Sequence, residues 1–348
     1  MEKLNGWTVA SGTTGTAPVP YNNRLLKSGL VMMFYLPILE KLSLSRNILI
    51  AGAGGGFDVF SGLPLYFALK QQKKAVYLAN WTFSQIATGE RAPIRMSEYL
   101  VAVSADSKGD YYFPERYLCE WFRSKGENLN VYCFEACGTQ QLKRSYELLV
   151  EKFKLDTIVL IDGGTDSLLR GDEEDLGTPE EDMTSIAAVD QLEVETKILA
   201  CLGFGIDAHH GVCHAHVLST IAEQTKKGGF LGAVTLLKAM PEVRSFISAS
   251  HYVFSRMRDS DPSIVISSIL SALDGEFGNY HATDRTEGSE LFINPLMCLY
   301  WFFDLHSIAD SVVYMNELRS AENGLEAARA IKSFSRKGAT RPWRQIPF

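Results

Sequence analysis

Residues 47–58, NILIAGAGGGFD, limit most strongly what this chain can fold into. Residues 47–51 read as a short buried strand that runs straight into glycines. A brief run of branched apolar residues ending in glycine fits the first strand of a parallel α/β sheet, whose two faces are both covered. Gly52, Gly54, Gly55 and Gly56 allow positive φ and let the backbone come close to a ligand. A helix starting after them would turn unpaired N–H groups toward a phosphate or another anion. The stretch points to a nucleotide-like ligand.

The dinucleotide fingerprint G-x-G-x-x-G is incomplete here. Phe57 stands where glycine or alanine is required, and the second strand, residues 75–79, closes with Asn80 rather than an acid. Asn80 is still a candidate to bond a ribose or a carbonyl. An NAD(P)-dependent oxidoreductase is carried as an alternative, as is a loop whose glycines only make a tight turn.

Strands alternate with helices along the chain. Strands are expected at residues 47–51, 75–79, 131–135, 157–161, 197–202 and 230–237, and helices at 57–72, 115–125, 140–153, 242–257 and 263–273. The alternation predicts a Rossmann-like α/β fold, a doubly wound, mostly parallel sheet with helices on both faces. Further strands are expected at 99–104 and 295–304, with helices at 25–44 and 325–334. Pro37 should break or kink the helix at 25–44. Pro64 leaves two readings of the 57–72 helix: a start near Ser61 with proline in the first turn, or a start at the glycines with a kink. The expected division is an N-terminal arm and helix, 1–45, a Rossmann-like core, 46–315, and a C-terminal helix with a basic tail, 316–348. Arg336, Lys337, Arg341 and Arg344 of that tail read as a solvated end.

Apolar residues make up 46% and charged residues 22% of the 348 positions, which suits a globular chain with a sizeable core. The net charge of -7 argues against a nucleic-acid-binding surface. The six cysteines form no C-x-x-C pair and read as free thiols in a reducing cytoplasm. No secretory signal opens the chain, and the apolar run at 30–39 is too short to span a bilayer. The expectation is a soluble cytoplasmic protein with a small-molecule ligand, and neither nucleic acid nor membrane as partner. Self-association into a homo-oligomer is left open.

Ligands of doubly wound sheets bind beyond the carboxyl ends of the strands. That rule selects the loops after residues 51, 79, 135, 161 and 202. Residues 161–185, IDGGTDSLLRGDEEDLGTPEEDMTS, place Asp162 at a strand end, with Asp166 four residues on and Arg170, Asp172, Glu173 and Asp175 after it. Carboxylates there can hold ribose hydroxyls, coordinate Mg²⁺ or Ca²⁺, or act as a general base. Arg170 either neutralises these acids or binds an anionic substrate bidentately. Thr178, Pro179 and Glu181 read as the capping box of a helix, which gives Glu180 and Glu181 a structural task.

Residues 204–216, FGIDAHHGVCHAH, hold four of the seven histidines. Asp207, His209 and His210 fall in the loop, His214 and His216 at the start of the next helix. One reading is acid–base work by His209 or His210, with Asp207 orienting the imidazole. Another is a metal held by His210 and His214 at i, i+4 on one helix face, with Asp162 and Asp166 as further ligands, and a third has the histidines only lining a polar cleft or capping a helix.

Together, GAGGGFD at 52–58, DGGTDSLLRGDE at 162–173 and GTPEEDMTS at 177–185 resemble the domain of unknown function 1152 family, over about residues 45–315. The resemblance implies a Rossmann-like α/β fold and transfers neither an activity nor catalytic residues. The expected function is an enzyme for a nucleotide-like or phosphorylated small molecule, working by hydrolysis or group transfer. Gly54, Gly55 and Gly56 would hold an anionic group, with Asp58 and Asn80 on a ribose or amide. Asp162 and Asp166 would position a water or a metal, and His209 or His210 would move a proton. The candidate cofactors are a divalent metal or a nucleotide. A non-catalytic ligand sensor or scaffold is the alternative from another class.

Overall fold

A computed structural model describes residues 35–109, 112–257, 262–289, 291–335 and 340–346. The arm expected at 1–21 and most of the helix expected at 25–44 lie outside these residues. In chain order the strands are β1 (Asn47–Gly52), β2 (Ala75–Trp81), β3 (Ile94–Ser97), β4 (Leu100–Val103), β5 (Val131–Phe134), β6 (Thr157–Asp162), β7 (Thr196–Cys201), β8 (Phe230–Thr235), β9 (Gly278–Asn279), β10 (Phe292–Ile293) and β11 (Leu299–Asp304). Nine of them form one sheet in the order β3-β4-β5-β2-β1-β6-β7-β11-β8, and β9 pairs with β10 separately. The central five, β5-β2-β1-β6-β7, are parallel. β3, β4 and β11 make antiparallel pairs at the flanks. The expected mostly parallel, doubly wound architecture is present.

The helices are α1 (Pro37–Leu44), α2 (Asp58–Ser61), α3 (Leu63–Gln71), α4 (Pro114–Ser124), α5 (Thr139–Phe153), α6 (Pro179–Asp190), α7 (His214–Lys227), α8 (Pro241–Arg256), α9 (Ile264–Asp274), α10 (Leu305–Ala309), α11 (Met315–Arg319) and α12 (Gly324–Ser335). They cover both faces, as the strand periodicity requires. Leu49, Ala51, Ile158 and Leu160 point into a core with α5, α6, α11 and α12. Ile48, Ile50, Val159 and Ile161 point the other way, into a core with α3, α4, α8 and α9. Each fully buried Ile or Leu contributes about 1.5–3 kcal/mol relative to exposure.

One open reading is settled and two local expectations change. Pro37 begins α1, the break rather than the kink of the two readings, because its fixed φ suits a first turn and its missing N–H costs nothing there. The helix expected at 57–72 is two helices, divided at Gly62, where a Cβ would stand 2.5 Å from Ile50 Cγ2. Pro64 lies in the first turn of α3. The strand expected at 295–304 starts only at Leu299, after a 3-10 turn Pro295–Cys298 in which the Asn294 side chain accepts the Leu296 N–H at 3.0 Å. It runs antiparallel to both neighbours.

The strand order reverses between β1 and β6, since β2 and β5 lie on one side of that pair and β7 on the other. Such a reversal opens a crevice at the carboxyl ends of the two strands. Asp58 follows β1 and Asp162 closes β6, so both stand at this crevice. All six cysteines are free and buried. Among the described residues no helix is long and apolar enough to cross a membrane.

Candidate functional site

The glycine loop is tied down by its own chain. It turns through Gly55 and Gly56, at φ +120° and +59°. The N–H groups of Gly54 and Gly55 donate to Asp58 Oδ2 at 2.7 and 3.2 Å. Those of Ala53 and Gly56 donate to the Ile161 and Trp81 carbonyls at 2.8 and 3.0 Å. None of these four amides is left for a phosphate, and α2 is a single turn. The anion-holding role expected for Gly54, Gly55 and Gly56 is therefore corrected: the loop presents a carboxylate, not a cradle of donors.

Asn80 supports the loop from behind. It is fully buried, and its Nδ2 donates to the Gly56 carbonyl and to Glu115 Oε1, both at 2.8 Å. Gly52 has to be glycine because a Cβ there would stand 2.2 Å from Asn80 Oδ1. Asn80 does not line the crevice, so its expected contact with a ribose or amide is not made. Burial raises the Glu115 carboxyl from 4.5 to about 7, against the hydrogen bond from Asn80. A folded-state pKa above the unfolded one gives stability that is full below about pH 4.5 and lost as pH rises through 7. Glu115→Gln is accordingly expected to gain roughly 2–3 kcal/mol over the wild type at pH 8 and little at pH 4.5. Urea unfolding at the two pH values measures the difference, and an equal shift at both would remove this account of Glu115.

In front of the loop lies a cavity of about 320 Å³ whose lining includes Asp58, Asp162, Asp166, Asp182, Asp207 and Glu181. Arg285 is the one arginine or lysine in its lining among the described residues. Asp58, Asp162 and Asp182 each offer an oxygen, and the three oxygens lie within 4.8 Å of one another. Small residues permit this convergence: a Cβ on Gly54 would stand 2.8 Å from Asp58 Oδ2 and 2.9 Å from Asp182 Oδ1. Asp162 Oδ2 accepts the Ser167 N–H at 3.3 Å and its hydroxyl. Asp182 Oδ1 is buried with no hydrogen-bond partner among the described residues.

Two carboxylates about 4 Å apart repel by roughly 4 kcal/mol at an effective dielectric near 20, so this set cannot all be anionic without a counter-charge. The acidities follow. Burial lifts Asp58 to about 7, although it keeps a partly accessible face in the cavity. Burial and then the neighbouring carboxylates push Asp162, Asp182 and Asp207 well above the usual range, and burial also raises Asp166 and Glu181. The site holds protons or it holds a cation. An all-oxygen donor set suits Mg²⁺, Mn²⁺ or Ca²⁺ better than a softer metal. Oxygens about 2.1–2.5 Å from one ion are at most about 4–5 Å apart, which these three satisfy.

Asp166 and Asp207 flank the trio with other partners. Asp166 Oδ2 accepts the Thr178 N–H and hydroxyl at 2.9 and 3.2 Å. This bond replaces the expected capping box, because the Thr178 side chain does not cap α6. Glu181 is thereby free of that task and lines the cavity. Asp207 Oδ2 accepts the Thr165 N–H at 2.7 Å, so it braces the loop after β6 and orients no imidazole, which corrects that expectation.

His209 and His210 sit in a 3-10 turn, Ile206–His210, and both line the cavity. Their rings lie 3.8 Å apart. His209 Nδ1 bonds the Ile206 carbonyl at 2.5 Å, and since a carbonyl only accepts, Nδ1 is the donor; in a neutral ring of this tautomer Nε2 is the acceptor. That Nε2 is buried without a partner among the described residues. Burial, then the neighbouring His209, lowers His210 and favours its neutral form.

His214 does not join them. Gly211 ends the turn in the left-handed region and α7 starts at His214, so the two histidines never share a helix face. His214 stacks on Phe204 at 5.3 Å, outside the cavity lining, and the expected His210–His214 metal pair is corrected. Arg170 and Asp172 are also directed elsewhere. Arg170 pairs with Glu223 at 3.5 Å, and Asp172 with Arg341 Nε at 2.8 Å. Neither lines the cavity, which corrects their ligand-binding role. Arg341 also holds the buried Glu173, so residue 341 is not part of a solvated end; Arg336 and Lys337 lie outside the described residues.

Asp182, Arg285 and Phe83 line the cavity without having been singled out from the sequence, and Glu181 was read there only as a helix-capping residue. Asp182 lay inside the helix-start pattern TPEED, and only its position one turn into α6 turns it toward β1. No curated protein and no solved structure matches the chain. The profile of a family described as "Protein of unknown function (DUF1152)" matches residues 94–337, more than half of the chain. The match includes the acidic loop, α6 and the histidine loop; the glycine loop with Asp58 precedes it. The chain belongs to the domain of unknown function 1152 family.

Proposed function

We propose that the crevice binds a divalent cation on Asp58, Asp162 and Asp182 and hydrolyses a phosphate ester of a small, nucleotide-like molecule. The carrying observation is the convergence of three carboxylate oxygens within 4.8 Å, with Asp182 Oδ1 buried and unpartnered. An acid-lined cavity repels a phosphate, and a cation between them removes that obstacle. The cation would polarise the phosphoryl group and lower the pKa of a bound water. Water oxygen bonds to phosphorus and the ester P–O bond breaks. His209 Nε2 takes the water proton, and the Glu181 carboxyl, raised by burial, supplies one to the leaving oxygen.

The glycine-loop amides bonded to Asp58 and the buried Asn80 weigh against a nicotinamide dinucleotide, which needs both for its phosphates and ribose. The test is phosphate release from a panel of phosphomonoesters with Mg²⁺ or Mn²⁺ and with chelator. Turnover should require the cation, and His209→Gln should lower kcat by about 10²–10⁴ with little change in KM. Saturable binding of these esters with no phosphate released would replace the enzyme by a sensor.

A further inference from the structure

We infer that Phe83 and the cavity beyond it form the subsite for the organic part of the substrate, an amino-substituted planar heterocycle. This rests on the phosphate-ester reading above. The loop after β2 leads from the acidic cavity to a second one of about 530 Å³, and Phe83 lines both. A singly exposed phenylalanine is ordinary on a protein surface. This one is 54% exposed at the junction of two cavities, on a seat formed by two glycines. Its ring comes so close to Gly55 and Gly56 that a Cβ on either would stand 3.2 or 3.3 Å from it. The segment carrying it is pinned: Thr82 N–H donates to the Phe134 carbonyl at 2.9 Å and Ser84 N–H to Thr82 Oγ1 at 3.1 Å. A fixed, solvent-facing ring beside a cavity is a platform on which a planar ring stacks.

The second cavity decides which ring. Its polar groups are those of Thr82, Ser84, Gln85, Glu98, Tyr99 and Glu135. Two are carboxylates, and of these Glu135 is already paired with Arg95 at 2.6 Å. Tyr99 OH accepts from Gln141 Nε2 at 3.0 Å. Glu98 and the Ser84 and Gln85 oxygens can accept hydrogen bonds there, and the Glu98 carboxylate disfavours a second anion. Such a lining suits exocyclic amino groups, with the phosphate end placed across Phe83 in the acidic cavity.

The experiment compares AMP with ribose 5-phosphate by equilibrium dialysis on the Mn²⁺-loaded full chain carrying His209→Gln, in which hydrolysis is slowed. AMP should bind at least about 10-fold tighter than ribose 5-phosphate. Phe83→Ala should bring AMP down to the affinity of ribose 5-phosphate, while Phe83→Tyr should keep the margin. Equal binding of the two ligands, no AMP binding at millimolar concentration, or an AMP affinity indifferent to Phe83→Ala would overturn the subsite. AMP binding that depends on Phe83 in a protein that binds no Mn²⁺ supports the subsite and sinks the cation reading instead.

Discussion

An Asp182→Asn variant is expected to bind Mn²⁺ at least about 100-fold more weakly than the wild type and to lose cation-dependent turnover. The three converging oxygens come from three separate elements, the glycine loop's Asp58, the end of β6 and the first turns of α6. Removing one anionic oxygen takes away a ligand and part of the charge that attracts the ion. The metal-free variant should behave in the opposite sense. The Asp182 pKa is pushed well above the usual carboxylate range by burial and then by Asp162, Asp166 and Asp58. A raised folded-state pKa means a stability penalty that grows as pH rises. Asparagine carries no such penalty, so the metal-free variant should be more stable than metal-free wild type at pH 8, by more than at pH 5. Calorimetry with and without Mn²⁺ reads both effects. A merely structural Asp182 would lower stability and leave Mn²⁺ binding alone.

Arg341→Ala is expected to cost about 3 kcal/mol of stability, because it leaves a buried carboxylate without its cation. Glu173 has no side-chain exposure and is held by Arg341 Nη2, with the Arg170 and Gly171 N–H groups as further donors at 3.1 and 2.8 Å. Beside it, Arg341 binds Asp172 Oδ1 at 2.8 Å, and the Trp343 N–H donates to Glu174 Oε2 at 3.2 Å. Arg344 meets the Cys213 thiol through its N–H and carbonyl at 3.3 and 3.1 Å. The tail thus clips the acidic loop to the histidine loop. Urea unfolding of Arg341→Ala measures the loss, and Arg341→Lys should recover only part of it, since lysine lacks the two-pronged geometry. A change below about 0.5 kcal/mol would show the clip to be a surface pairing.

The parallel centre of the sheet was legible in residues 47–51 and 157–161 because a strand covered on both faces is apolar throughout. The antiparallel run of β11 was not, since no local pattern states which distant strand a segment pairs with. Asp162 stood out because it ends an apolar run. Asp182 did not, because acids at a helix start already have a local explanation in the helix dipole. Asn80 misled for a related reason. A polar residue closing a strand looks like a ligand contact, but Gly52 and Glu115 together give it a buried place. Arg341 was hidden by distance, as its partners Asp172 and Glu173 lie far back along the chain.

The most direct measurement is a Mn²⁺ titration of the chelator-stripped wild-type protein at pH 7, by calorimetry in two buffers of different ionisation enthalpy. Carboxyls whose pKa burial has raised hold protons and must shed them when they take a cation. The expected result is saturable binding accompanied by proton release, and loss of both in Asp182→Asn. No saturable binding at millimolar Mn²⁺, or binding that Asp182→Asn leaves unchanged, would contradict a cation site at Asp58, Asp162 and Asp182.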